Sequence, residues 1–215
     1  MRKLFVGVAG PVAAILLSMS AMGSAAAQSF PSRPITLIVP AAAGGPTDAV
    51  SRLVAESMGR TLGQQIVVEN VGGAGGTIGM TRVAKSPADG YMVTVWHIAQ
   101  ATAPSLYDNL RYNVIDDFDS IGRIADVPMT IVGKSGLEPK TAKDLIDWIK
   151  QRKAAVTYAH AGIGSASHLC AIMFMSAIDT QMTALSYRGT GPAMSDLLGG
   201  QFDMMCDQTT TTTAQ

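Results

Sequence analysis

Three glycine-rich turns hold the residues best placed to do chemistry in this sequence: Ala41 to Thr47, Gly72 to Thr77 and Gly162 to Ser167. Each lies between a β-branched apolar run and a segment of helical spacing. In such a turn backbone N–H groups converge, and the helix N-terminus that follows adds partial positive charge, so an anion is favoured. One turn alone is equally well explained as a tight reversal without a ligand. Three turns at the carboxyl ends of parallel strands, where α/β proteins place ligands, point to binding.

Other constellations fit less well. Gly73-Ala74-Gly75 is followed by glycine at position 79, one residue late for a dinucleotide fingerprint, and no P-loop lysine follows any of the glycines. Gly164-Ser165-Ala166-Ser167 lacks the frame of a nucleophile elbow. His168 is three residues from Ser165, and two roles stay open for it: a polar contact in a cleft, or a partner for local backbone. A hydrolase using Ser165 or Ser167 with His168 is the alternative function. Asp116, Asp117 and Asp119 lack the glycine turn and distal glutamate of a calcium loop and read as a solvated turn. Met173 and Met175 read as helix core. No catalytic residue, metal site or cofactor is expected.

The elements that must position these turns follow from periodicity. Strands are expected at Ile35–Val39, Gln65–Asn70, Met92–Trp96, Ile121–Ala125, Met129–Val132, Ala155–Ala159, Thr183–Leu185 and Phe202–Cys206. Helices are expected at Asp48–Leu62, Thr77–Ala84, Thr141–Gln151, Ala166–Ile178 and Pro192–Leu198. Thr47 is the expected N-cap of the first helix, and Gly63 its stop. Val50, Leu53, Val54 and Met58 form its apolar face, with Ser51, Arg52 and Glu56 turned away. His97 and Gln100 fall in the loop after the third strand. Strand–helix alternation of this kind defines an α/β protein with parallel sheets.

Arg2 and Lys3, the apolar run Leu4 to Met22 and the small residues Ala25 and Ala27 read as a secretory signal cleaved after Ala27. A permanent membrane anchor is the competing reading, against which Gly10, Pro11 and the small-residue exit count. The whole chain has 16 Lys+Arg and 16 Asp+Glu, so removing Arg2 and Lys3 leaves 14 against 16. That slight negative excess makes nucleic acid an unexpected partner. Export makes a disulfide between Cys170 and Cys206 chemically permissible. With Cys170 in a helix and Cys206 at a strand end, separate buried thiols are the simpler expectation.

Several motifs together resemble one family. They are Arg33-Pro34-Ile35 with Val39-Pro40 to Gly44-Gly45 and Asp48, Val68-Glu69-Asn70 with Gly73 to Gly76, and Pro87 to Tyr91. Gly164-Ser165 with His168-Leu169, Tyr187-Arg188-Gly189, Gly191-Pro192-Ala193, Asp196 to Gln201, Asp203 and Asp207 continue the likeness. This set resembles the Bug family, the extracytoplasmic solute receptors of tripartite tricarboxylate transporters. The resemblance implies a two-lobed periplasmic-binding-protein (Venus flytrap) fold. The lobes are expected at 28–125 and 126–215 after a signal peptide at 1–27. It implies a periplasmic monomer that captures a small carboxylate and delivers it to a membrane permease, without turnover. A ligand-sensing partner of a membrane kinase is a further alternative.

By the same likeness the ligand carboxylate is held by the turn around Ala41, Ala42, Ala43, Gly44, Gly45 and Thr47, by Ala74, and by the facing turn Gly162, Ile163, Gly164, Ser165 and His168. His97, Gln100, Tyr187, Arg188 and Asp207 are expected to line the cleft. Several N–H donors can hold a carboxylate without a buried cation, since each charge-assisted bond contributes roughly 1.5–3 kcal/mol. Arg188 is the cationic supplement or a surface arginine paired locally. Asp48 is a first-turn residue favouring the helix N-terminus rather than a ligand contact. Family chains return to the first lobe after the second, so this chain is expected to lack on the order of a third of a full chain.

Overall fold

The computed structural model describes residues 29–213. The signal segment and its expected cleavage after Ala27 therefore lie outside the described residues. The first half of the fold runs β1 (Ile35–Val39), α1 (Pro46–Leu62), β2 (Ile66–Asn70), α2 (Thr77–Ala84), β3 (Met92–Thr94) and α3 (Ala99–Leu106). Its sheet has the order β2-β1-β3 and is parallel throughout, with Leu37 opposite Val68 on one side and Val93 on the other. The central strand β1 reads as an unbroken apolar run because both of its faces are covered; Ile35, Leu37, Ile38 and Val39 are all buried.

The second half runs β4 (Met129–Gly133), α4 (Ala142–Arg152), β5 (Thr157–His160), α5 (Ala166–Ala177), β6 (Thr183–Ser186), α6 (Thr190–Leu198), β7 (Met204–Gln208) and the short α7 (Thr209–Thr212). Its sheet has the order β4-β7-β5-β6. Alternation along the strands divides the core between the two faces of this sheet. Tyr158 and Met204 pack with Ile149, Ala171 and Met175 on one side. Ala159 and Met205 pack with Ala193, Leu197 and Phe202 on the other.

The structure corrects several expectations. Strand β4 pairs antiparallel with β7, Met129 lying opposite Gln208. A parallel neighbour needs a crossover within its own sheet, and β4 arrives instead from the irregular stretch that follows α3. Residues 121–125 form no strand. Gly122 to Ala125 and Val127 instead border a cavity of about 190 Å³ that Thr94 and Val95 also line. Gln100, expected in the loop after the third strand, lies instead on α3, which forms in spite of Pro104.

The first helix starts at Pro46 with Gly45 in the N-cap position, so Thr47 is not its cap. Proline suits the first helical position because no N–H is needed there. The helix does end at Gly63, which adopts a left-handed conformation and donates its N–H to the Gly59 carbonyl at 3.0 Å. Its buried stripe is Thr47, Asp48, Ser51 and Ala55, whereas Leu53 is 68 % exposed. Side-chain size rather than hydropathy thus selects the face set against the sheet. Met175 is core as expected, but Met173 is exposed.

Cys170 and Cys206 form a disulfide. The thiols do not stay separate because α5 packs directly on β7, which brings the two Cα atoms to 6.2 Å, within bridging range. Cys206 lies within β7 rather than at its end.

Candidate functional site

Strands β1, β5 and β6 each run into a helix at their carboxyl ends: α1, α5 and α6. The N-termini of these three helices meet at one small cavity of about 30 Å³. Gly45, Pro46 and Thr47 come from α1, Ser165, Ala166 and Ser167 from α5, and Thr190 from α6. Pro40, Ala41, Trp96 and His97 complete the wall on the side of the first sheet, and Met129, Ala161, Asp207 and Gln208 on the side of the second. The volume suits about one or two waters or a single carboxylate group. Thr47, Trp96 and Gln208 also line the 190 Å³ cavity, so the two spaces adjoin.

The serines of α5 are arranged as donors. Ser165 Oγ caps the helix by accepting the His168 backbone N–H at 3.3 Å, and Ser167 Oγ accepts the Ala161 N–H at 2.9 Å. The two hydroxyl oxygens are 3.0 Å apart. One O–H fills the bond between them, so one hydroxyl proton of the pair remains to be donated. Both serines are buried at the cavity wall. His168 Nδ1 accepts the Gly164 N–H at 3.2 Å, so of its two open roles the imidazole takes the local backbone one. Ser165 meets that histidine through the backbone, which is not the contact of a nucleophile with its base.

His160 is buried beside His168, ring centroids 4.6 Å apart, and its Nδ1 accepts the Gly162 N–H at 3.1 Å. Both bonds need an unprotonated Nδ1. Burial lowers the pKa of both rings, and the neighbouring His168 lowers His160 further. His97, stacked on Trp96 at 4.0 Å, is pushed down to about 4 by burial. The cavity is therefore lined by a neutral imidazole at neutral pH. Burial pushes the Asp207 carboxyl up, against hydrogen bonds from Thr211, the Gln208 N–H and Thr190.

The turn before α1 is held from behind. Asp48 accepts the Gly44 N–H at 3.0 Å, Asn70 Nδ2 at 3.0 Å and Arg52 Nε at 3.1 Å. Asn70 Nδ2 also donates to the Ala41 carbonyl at 3.2 Å. Burial raises the Asp48 carboxyl, but Arg52, Gly44 and Asn70 outweigh it and hold it below the usual carboxylate range. Asp48 is thus more than a first-turn charge: it clasps the turn.

Of the expected site residues, Ala41, Gly45, Thr47, His97, Ser165 and Asp207 meet at the cavity. Others lie where the two halves touch. The Ala42 N–H donates to the Arg188 carbonyl at 3.3 Å, and Ala43 and Gly44 face Gly191. Gly162 faces Gly75, the residue after Ala74. The carbonyls of Ile163 and Gly164 accept from Tyr107 Oη at 2.8 Å and Thr102 Oγ1 at 3.2 Å. Gln100 sits on α3 with its Oε1 buried and without a protein partner among the described residues. The Tyr187 hydroxyl donates to Asp196 at 2.7 Å, away from the cavity, and the Arg188 side chain is exposed.

Sequence reasoning did not single out Trp96, Met129, Thr190 or Gln208. Thr190 was within reach: it is a hydroxyl residue two positions before the expected helix start at Pro192, and α6 begins at Thr190 itself. The acidic stretch is a local turn in which the Asn113 N–H donates to Asp117 at 2.8 Å. Among the described residues no three His, Cys, Asp or Glu side chains converge as metal ligands, and no helix is long and apolar enough to cross a membrane.

Parallel strands feeding helix N-termini into a cleft between two sheets define the two-lobed fold of periplasmic binding proteins. Residues 50–215 match the family model described as tripartite tricarboxylate transporter family receptor, and the chain belongs to that family. A UPF0065 protein of Agrobacterium vitis is 54% identical over 190 residues, covering 88% of this chain and 55% of that protein. The solved periplasmic binding protein BugD superposes with a TM-score of 0.84 at 50% identity, covering 86% of this chain and 62% of that one. MatC of Rhodopseudomonas palustris, solved with bound malate, has a TM-score of 0.78 at 37% identity, covering 83% of this chain and 61% of that one. The chain thus spans little more than half the length of the curated relatives it matches.

Proposed function

We propose that this chain is the exported, periplasmic receptor of a tripartite transporter, which closes two lobes, 28–125 and 126–215, on a small carboxylate and passes it to a membrane permease. The convergence of three helix N-termini and a serine pair with a spare proton on one cavity carries this reading. A carboxylate placed there receives N–H and O–H donors from both halves without a buried cation. The adjoining 190 Å³ space takes the rest of the ligand. The malate bound to MatC supports a ligand of this class. The backbone contact between Ser165 and His168 favours a receptor over a hydrolase.

A melting-shift comparison tests the proposal. A carboxylate at 100 times its dissociation constant adds about 2.7 kcal/mol, which raises the melting temperature by roughly 5–10 °C in a protein of this size. The panel is malate, succinate and adipate against their amides. Acids that shift the melt while amides leave it unchanged support the receptor reading; equal responses, or none, contradict it.

A further inference from the structure

Gly189 and Gly191 sit on the second half at the start of α6, and both face the turn Ala42–Gly45 of the first half. Neither glycine is needed for backbone conformation: Gly189 is extended, with φ of 167°, and Gly191 is not in the left-handed region. What excludes a side chain is the other half of the molecule. A Cβ on Gly189 would stand 2.8 Å from the Ala42 amide nitrogen and 2.9 Å from its Cβ. A Cβ on Gly191 would stand 2.9 Å from the Gly44 carbonyl carbon, 3.0 Å from the Gly45 nitrogen and closer still to the Ala43 oxygen. Backbone on both sides leaves nothing flexible to give way.

We propose that Gly189 and Gly191 are positioning residues for ligand capture: they form a side-chain-free seam on which the turn Ala42–Gly45 seats, which brings the donors of α1 up to those of α5 and α6. The Ala42 N–H donating to the Arg188 carbonyl marks that seating, and Thr190, between the two glycines, lines the cavity. The seam therefore couples contact between the halves to assembly of the site. Adding a methyl group here wedges the halves apart while leaving each half's own packing untouched. This rests on the receptor reading above, but its test does not depend on the ligand.

The test is Gly191→Ala, with Gly189→Ala as an independent second variant and Gly199→Ala, whose Cβ would meet nothing closer than 3.4 Å and which lies at the far end of α6, as control. Amide exchange is followed by NMR without ligand, and malate binding by melting shift. In either seam variant the Ala42 amide is expected to exchange at least ten-fold faster than in wild type, with the amides of β1 and β7 unchanged, and the malate shift is expected to fall. The control should match wild type. Equal exchange at Ala42 in wild type and both seam variants overturns the proposal whatever malate does. A wild type that responds to no carboxylate, with faster Ala42 exchange in the variants, rejects the receptor reading and keeps the seam.

Discussion

Ser165 Oγ and Ser167 Oγ lie 3.0 Å apart at the N-terminus of α5, each already accepting a backbone N–H, so the pair has one proton to give. Removing either hydroxyl disturbs the arrangement differently. Ser165→Ala removes the cap and one of the two hydroxyls at the cavity wall, and carboxylate affinity should fall about ten-fold, equivalent to about 1.4 kcal/mol. Ser167→Ala also leaves the Ala161 N–H without its side-chain acceptor and should cost about 1–3 kcal/mol of stability. Calorimetric titration and urea unfolding of both variants separate these effects; unchanged affinity in both Ser165→Ala and Ser167→Ala would show that the pair gives no proton to the ligand.

The clasp behind the first turn predicts a second coupling. Asp48→Asn keeps the shape but removes the charge that binds Arg52 and the Gly44 N–H. The expected stability loss is about 1–3 kcal/mol, with weaker ligand binding because the turn that supplies donors loses its anchor. Unfolding and binding measured on the same variant check this; a variant that binds as wild type would place Asp48 in stability alone.

Acid should destabilise the protein before carboxylates titrate. The pKa values of His97, His160 and His168 are lowered in the folded state, so below pH 6.5 the unfolded chain takes up protons that the folded chain refuses. Stability from this source is complete above pH 6.5 and declines as pH falls, for His97 down to about 4. Each histidine can contribute about 1.4 kcal/mol per pH unit across its window. Asp48, with its lowered carboxyl, adds a separate loss below the ordinary carboxylate pKa of 3.8. Urea midpoints at pH 7.5, 6 and 5 should fall in order, and His97→Asn should flatten the trend; a flat wild-type profile would show the imidazoles to be solvated.

Much of this was legible in the sequence for a physical reason. β-Branched runs, turn glycines and helical spacing are local signals, and they located most of the strands and the three turns. The contact of α5 with β7 that pairs the cysteines is a matter of topology, and a strand's direction is invisible to periodicity; β4 was misread for that reason. The buried face of α1 was missed because hydropathy favours Leu53 over Ser51, while close packing on the sheet favours the smaller residue. At the site, loops adjacent in sequence were found, but Met129 and Gln208 reach the cavity only through the β4–β7 pairing. The sequence also could not divide the glycine turns into residues that line the cavity and residues that meet across the seam.

The disulfide closes a loop between positions 36 residues apart and ties α5 to β7. Cys170→Ser with Cys206→Ser should lower stability by about 3–4 kcal/mol. Because α5 carries the serine pair and β7 carries Asp207, binding should weaken as well. Chemical unfolding with and without reductant measures the first effect and titration the second; a double variant as stable as wild type would contradict the stabilising role.

Under the receptor reading, backbone amides of three helix N-termini hold one carboxylate. An amide-resolved NMR titration with malate addresses it most directly. The largest shift changes are expected at Thr47, Ser167 and Thr190, saturating together at one ligand per chain. Saturable binding that leaves those three amides unmoved would contradict it.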